Sequence, residues 1–341
     1  MKSSRSLKTR LALVAAMVLA AAGVSPSLAA ELFPLKFSLS FSLAADAAPY
    51  LLALERGYFR DAGLDVSIDP STGSGESVTR VASGVYQMGS ADFATLVEFA
   101  NRQPAVAPKT VAIIYDKGPQ AVITLASSDI KTPKDLVGKS VGGGATDGPA
   151  RMFPAFMTAA GVPKDSITWR QVSPQIRDSM LLTKQIDAVV GNDYTSLFNL
   201  KARGLKIEDV RIIRYADYGL DVYSNGIIAN QALLRDHPDA VKGFVTAALR
   251  GWREAVAEPK TALESLLKRD KLIDGEIELE RLKFLLATEV MTEHAKKYGI
   301  GSSDSDRMTK NIATISESFG LTEAPALSLV YDPRFVSAPG K

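Results

Sequence analysis

No cysteine occurs among the 341 residues. That excludes a disulfide scaffold, cysteine-ligated zinc or iron–sulfur centres, a thiol nucleophile and the lipid-bearing cysteine of a lipoprotein. Histidine is almost missing: His237 and His294 stand 57 residues apart and form no H-E-x-x-H pair. His237 precedes Pro238 at an expected helix start and His294 falls in a charged stretch. Both read as surface residues, and no metal site is expected. There is no G-x-S-x-G elbow, no G-x-G-x-x-G and no P-loop; Gly142-Gly143-Gly144 has the wrong spacing for either glycine motif. Ser128-Asp129-Ile130-Lys131 fits S-x-x-K, but its companion motifs are missing and two fixed positions arise easily by chance. No catalytic residue and no cofactor are expected.

Long apolar runs are also lacking. The longest, Leu11 to Val24, has 14 residues, short of the roughly 20 a helix needs to span a bilayer. It follows Lys2, Arg5, Lys8 and Arg10 and precedes Ser27-Leu28-Ala29. A basic start, an apolar middle and small exit residues make a cleaved secretory signal over residues 1–30. The chain is therefore expected in the periplasm. Charge of one sign is missing as well. Beyond residue 30 there are 36 basic and 38 acidic residues, so the net positive charge belongs to the signal and a nucleic-acid partner has no support. About 310 remaining residues can bury a sufficient core without disulfides.

What is present is alternation. Leu35 to Phe41 alternates apolar and polar with period two, as a strand does, and Pro49 to Glu55, followed by Gly57, reads as a helix. Further strands are expected at Leu64–Ile68, Tyr86–Gly89, Val111–Tyr115, Ala121–Leu125, Lys139–Gly142, Ile167–Val172, Asp187–Val190, Arg211–Ile213 and Gly226–Ala229. Between them helices are expected, including Phe93–Arg102 and Gly148–Ala159, and from Leu233 the chain reads as almost wholly helical. The fold class is α/β: two lobes, each a mostly parallel sheet flanked by helices, with a helical C-terminal portion. The expected division is 31–126 for the first part of lobe 1, 127–222 for lobe 2, and 223–341 for the return to lobe 1. The crossings are expected near Leu125–Ser128 and Asp221–Asn225.

In open α/β sheets ligands bind beyond the C-terminal ends of the strands, where helix N-termini present unpaired N–H groups. The loops expected there are small and polar: Ser42 to Asp46, Ser71 to Ser77, Ser90 to Phe93, Gly143 to Gly148 and Gly191 to Tyr194. Tyr50, Tyr115, Tyr194, Tyr215, Tyr218 and Tyr223 fall at strand ends or helix starts, where rings can cover the flat face of a solute. Each residue also has an ordinary explanation as an N-cap or a rim aromatic.

Gly57-Tyr58-Phe59 followed by Ala62-Gly63-Leu64-Asp65-Val66 resembles the opening of the SsuA/THI5-like (NMT1-type) family of periplasmic solute-binding proteins. Gly89-Ser90-Ala91-Asp92, Thr132 to Lys139, Ile186-Asp187-Ala188 and Asn225 to Asn230 continue the resemblance, with Gln185 where the family has Gly. The resemblance implies a type II binding-protein fold, a hinge closing on the solute, and an ABC permease at the inner membrane as partner of a monomeric protein. Tyr50, Gly73, Ser74, Gly75, Asp92, Thr146 and Asn192 take the cleft role by this resemblance. Asp147, Tyr115, Tyr194, Tyr218 and Tyr223 complete the candidate ligand set. The stretch Asp217 to Tyr223 looks most like the members that bind thiamin pyrimidine precursors; sulfonate or nitrate-like anions are the alternative within the family. Arg151 and Arg177 could pair such an anion or be solvated helix-face residues. The family also includes thiamine pyrimidine synthase, an enzyme with a Cys-rich motif that this sequence lacks.

Overall fold

The computed structural model describes residues 31–144 and 148–336, so the signal segment lies outside the described residues. The first half runs β1 (Phe33–Ser38), α1 (Ala48–Glu55), α2 (Tyr58–Asp61), β2 (Leu64–Asp69), α3 (Ser74–Ala82), β3 (Met88–Asp92), α4 (Phe93–Arg102) and β4 (Lys109–Ile113). Then follow β5 (Gln120–Leu125), β6 (Ser140–Gly143), α5 (Gly148–Ala159), β7 (Thr168–Gln171), α6 (Pro174–Leu182), β8 (Ala188–Asn192), α7 (Asp193–Lys201), β9 (Val210–Arg214) and β10 (Asn225–Ala229). The remainder is helical: α8 (Gln231–Asp236), α9 (Pro238–Ala257), α10 (Pro259–Arg269), α11 (Gly275–Leu285), a π-turn at Leu286–Val290, α12 (Glu293–Tyr298), α13 (Ser305–Ser318) and α14 (Leu327–Val330).

The strands form two five-stranded sheets, in the orders β2-β1-β3-β10-β4 and β7-β6-β8-β5-β9. In each, four strands run one way and the fourth in order runs against them: β10 is antiparallel to β3 and β4, and β5 to β8 and β9. The reversed strand is the one that enters from the other sheet. The chain therefore crosses between sheets twice, at 114–119 and at 215–224. The first crossing corrects the expectation of one near 125–128, with 121–125 in the first half. Gln120–Leu125 is buried along nearly its whole length. Such a run fits the middle of either sheet, and only its pairing with β8 and β9 decides the matter.

Burial follows the sequence pattern. In β1 Leu35 and Phe37 are buried while Pro34 and Lys36 face out; in β2 Leu64, Val66 and Ile68 alternate with exposed Asp65 and Ser67. Helix α9 lies against α1 with Gly251 at the crossing. A Cβ there would come 2.3 Å from the Pro49 carbonyl oxygen and 2.8 Å from Ala53 Cβ. Gly251→Ala should gain about 1 kcal/mol of helix propensity and lose about 1–3 kcal/mol to overpacking against a backbone that cannot yield cheaply. The expected outcome in urea denaturation is a less stable protein; a more stable one would mean that α9 can slide on α1.

Candidate functional site

The two crossings run side by side. The Asn225 carbonyl accepts from the Ile114 and Tyr115 amides at 2.9 Å each, and the Tyr115 carbonyl accepts from the Ser224 amide at 3.1 Å. Helix α13 holds both. Arg307 donates to Asp116 Oδ1 (3.1 Å) and the Asp116 carbonyl (2.6 Å) on the first crossing, and to Asp221 Oδ1 (2.9 Å) on the second. Asn311 accepts from the Tyr223 amide at 2.8 Å and donates to the Asp221 carbonyl at 3.0 Å.

Tyr115 leaves β4 at this junction and meets Tyr194, which begins α7 beside the second sheet; their rings are edge to face, 6.1 Å apart. Trp252 of α9 stands edge-on to Tyr115 (6.3 Å) and to Tyr50 of α1 (5.5 Å). All three tyrosines are buried. Burial pushes their phenols up, and the Asp46 charge adds to the rise. At neutral pH they are neutral donors and ring faces. Asp46 sits in the turn just before α1. Burial and then the charge of Glu278 raise its carboxyl to about 6, with Arg281 only partly offsetting them. Glu278 is itself committed, accepting from the Ala45 amide at 2.7 Å and pairing with Arg281 at 3.1 Å.

Asp92 ends β3 and caps α4, accepting from the Thr95 amide at 3.2 Å. Ser224 donates to its other oxygen at 2.8 Å, and its own amide donates to Ser74 Oγ at 3.0 Å. Burial raises this carboxyl, and the Ser224 hydroxyl opposes the rise. Asp92 Oδ1 also lies 3.8 Å from the place a Gly148 Cβ would take. A first-sheet carboxylate thus faces the start of α5, the kind of helix end that favours anions.

The cations around this junction are matched in the same way. Arg151 of α5 pairs with Glu98 of α4 and lies over the Phe319 ring at 3.9 Å. Arg214, at the end of β9, pairs with wholly buried Asp193 at 2.6 Å. Lys117 pairs with Asp217 at 2.9 Å. Arg177 is buried, corrects the reading of a solvated helix face, and lies against Gly191 near Ser196 and Asp178.

Of the residues expected at the site, Tyr50, Tyr115 and Tyr194 come together, and Ser74 joins Asp92. Gly73 precedes α3 and Gly75 is exposed in its first turn; Asn192 precedes α7 and is half-buried. Tyr223 does not reach the group: its hydroxyl accepts from the Asp304 amide at 2.9 Å and its ring lies under Arg307. Tyr218 packs edge-on to Phe156 of α5, at the margin of a core that includes residues of both sheets. Thr146 and Asp147 lie outside the described residues. His237 is exposed at the start of α9, whereas His294 is half-buried against Tyr298 at 4.8 Å instead of on the surface, because α12 turns one face inward through Ala295. Asp46 was not singled out in the sequence. The available signal was its isolation, as the only acidic residue from Leu39 to Leu54.

Two mixed sheets joined by paired crossings, with each reversed strand borrowed from the other half, define the periplasmic binding-protein fold. The aliphatic sulphonate binding protein SsuA of Escherichia coli has this fold, at a TM-score of 0.70 and 14% identity over 89% of this chain and 94% of that one. The chain belongs to the NMT1/THI5 like family, whose model matches residues 44–262. It is similar to the riboflavin-binding protein RibY of Chloroflexus aurantiacus, 23% identical over 89% of this chain and 86% of that one. It is likewise similar to a formylaminopyrimidine-binding protein of Halalkalibacterium halodurans, 28% identical over 69% and 71% of the two chains. A 4-amino-5-hydroxymethyl-2-methylpyrimidine phosphate synthase of Aspergillus parasiticus is 27% identical over 64% and 65%. Among the described residues, no helix is long and apolar enough to cross a membrane.

Proposed function

We propose that this protein is the exported, substrate-capturing component of an ABC importer. In this reading the two sheets are the centres of two lobes, the paired crossings are the hinge, and the solute is a planar nitrogen heterocycle of the aminopyrimidine class. The observation that carries the choice of solute is the state of the cations. Arg151, Arg214, Arg307 and Lys117 each already face a carboxylate of the protein, and Asp92 faces the α5 N-terminus. A sulfonate or nitrate would have to displace one of those carboxylates. A neutral or cationic heterocycle instead finds rings at Tyr50, Tyr115 and Tyr194 and a carboxylate at Asp46. The relatives named for riboflavin and formylaminopyrimidine agree in ligand chemistry. The synthase relatives favour an enzyme, but the absence of cysteine removes the Cys-rich motif that the resemblance associates with that activity.

The test is a thermal-shift and calorimetric panel on the mature protein: 4-amino-5-hydroxymethyl-2-methylpyrimidine, its N-formylated aminomethyl relative, riboflavin, ethanesulfonate and nitrate. A solute at 100 times its Kd adds about 2.7 kcal/mol, which should raise Tm by about 4 °C for a chain of this size. The expected result is a shift with an aminopyrimidine and none with the anions. Tighter binding of ethanesulfonate than of any heterocycle would overturn the solute class, and no binding across the panel would remove the transport reading.

A further inference from the structure

Helices α7 and α11 meet along a seam whose partners run in opposite order. Lys201 pairs with Glu280, Phe198 meets Phe284 edge to face at 5.8 Å, and at the inner end Asp193 meets Glu289 of the π-turn. One side of the seam follows β8 of the second sheet. The other side belongs with the turn that carries Asp46, through the bond from the Ala45 amide to Glu278. The inner end reaches the first crossing, where the Lys117 amide donates to the Glu289 carbonyl at 3.2 Å.

That inner end holds two acids and too few donors. Asp193 and Glu289 are both wholly buried. Asp193 is satisfied by Arg214 at 2.6 Å and by the Tyr194 amide at 2.5 Å. Glu289 is not: neither of its carboxyl oxygens has a hydrogen-bond partner among the described residues. The charged and titratable groups that act on it are Asp193 and Tyr194 from α7, Arg214 from β9 and Lys117 from the crossing, and its own turn adds the Thr288 hydroxyl. Both cations already face other carboxylates, Arg214 that of Asp193 and Lys117 that of Asp217. Burial and then the Asp193 charge push the Glu289 carboxyl well above the ordinary range. A buried carboxylate without donors is costly, so Glu289 is held as the neutral acid while the seam is shut.

We infer that α7 and α11 part when the lobes open, and that shutting the seam on a solute takes up one proton at Glu289. The inference rests on the hinged transport reading above and adds a condition on closure. The sign follows from the two states. With the seam parted, water reaches Glu289, its carboxyl titrates in the ordinary range near about 4.3, and it is ionised at neutral pH. With the seam shut it is neutral. Each closure therefore binds one proton throughout the interval between the two values. Affinity falls across that interval as pH rises, by about ten-fold per unit. Asp46, raised only to about 6, is mostly ionised from pH 7 to 8 and stays out of the count.

The experiment titrates 4-amino-5-hydroxymethyl-2-methylpyrimidine into the mature protein by calorimetry, at pH 7.5 in phosphate and in Tris, then at pH 7 and 8. The change of heat with the buffer's own ionisation heat counts the protons. The wild type should take up about one proton per solute and bind about ten-fold more weakly at pH 8 than at pH 7. Glu289→Gln copies the neutral acid. It should take up none, vary by less than about two-fold over that unit, and bind about ten-fold or more tightly than the wild type at pH 8. A gain in affinity is an outcome that lost packing cannot give. In the wild type, an infrared difference spectrum between bound and free protein at pH 7.5 should gain the carbonyl band of a protonated carboxyl. That measurement decides the matter even where the variant does not fold. Uptake that persists in Glu289→Gln places the proton on the solute and overturns the inference. Solute bound with no proton taken up, or with no new carboxyl band, overturns it too, and each of these results leaves the transport reading standing. No binding by either protein removes the transport reading and the inference together.

Discussion

Arg214→Met should destabilise the protein by about 3–5 kcal/mol, the usual cost of stranding a buried charge. Asp193 is wholly buried, and its carboxylate accepts from Arg214 at 2.6 Å and from the Tyr194 amide at 2.5 Å. Burial raises this carboxyl and Arg214 is the main force holding it down. Glu289, in the π-turn after α11, is buried nearby, and burial with the Asp193 charge pushes it well above the ordinary range. Glu289 carries no positive charge in either protonation state, so it cannot replace the lost cation. Without Arg214 the Asp193 carboxyl rises further. The deficit should be largest above neutral pH and should shrink in acid, as protonation removes the stranded charge. Adding Asp193→Asn to Arg214→Met should recover most of the loss, because the pair as a whole contributes far less than one partner left alone. Urea midpoints of both variants at pH 5 and 8 check this. A loss below about 1 kcal/mol at pH 8 would mean that water reaches Asp193. Tyr194 is the next residue along α7, so Arg214→Met should weaken solute binding as well.

Elements set by local pattern were the most legible. Phe93–Arg102 and Gly148–Ala159 form helices over the residues expected, because N-terminal and C-terminal signals sit at both ends. Sheet membership was less so. Gln120–Leu125 is buried along nearly its whole length, and nothing in six residues says which of two sheets will pair with it. The same limit divides the tyrosines. Tyr115 and Tyr223 both flank crossings, yet Tyr115 turns towards Tyr194 while Tyr223 is taken by Asp304 and Arg307, more than 80 positions further on. Arginine pairing was hidden for the same reason. Whether Arg151 is open to an anion depends on Glu98 in the other half of the chain, a partner that no local spacing announces.

Asp46→Asn should make the protein more stable and a poorer binder. The sign follows from the direction of the shift. The carboxyl is raised from 3.8 to about 6 by burial and Glu278, so its ionised form is disfavoured in the folded state. The cost is absent below the unfolded value, grows as pH rises through the interval, and is complete above about 6. Stability should therefore fall by about 2 kcal/mol across that window in the wild type, allowing for partial exposure of the group, and the fall should be missing from the Asn variant. At pH 8 the variant should melt several degrees higher. A group that lowers stability at working pH yet stands among three buried tyrosines is the kind of local cost found at binding sites. Its proposed return is a charge-assisted hydrogen bond to a ring amine, and losing an interaction of that kind weakens binding by about ten- to a hundred-fold. Asp46→Asn should thus separate the two properties, with Tm up and affinity for 4-amino-5-hydroxymethyl-2-methylpyrimidine down. Were the variant to keep both the wild-type pH profile and the wild-type affinity, Asp46 would be neither strained nor engaged, and the tyrosine group would be a piece of core.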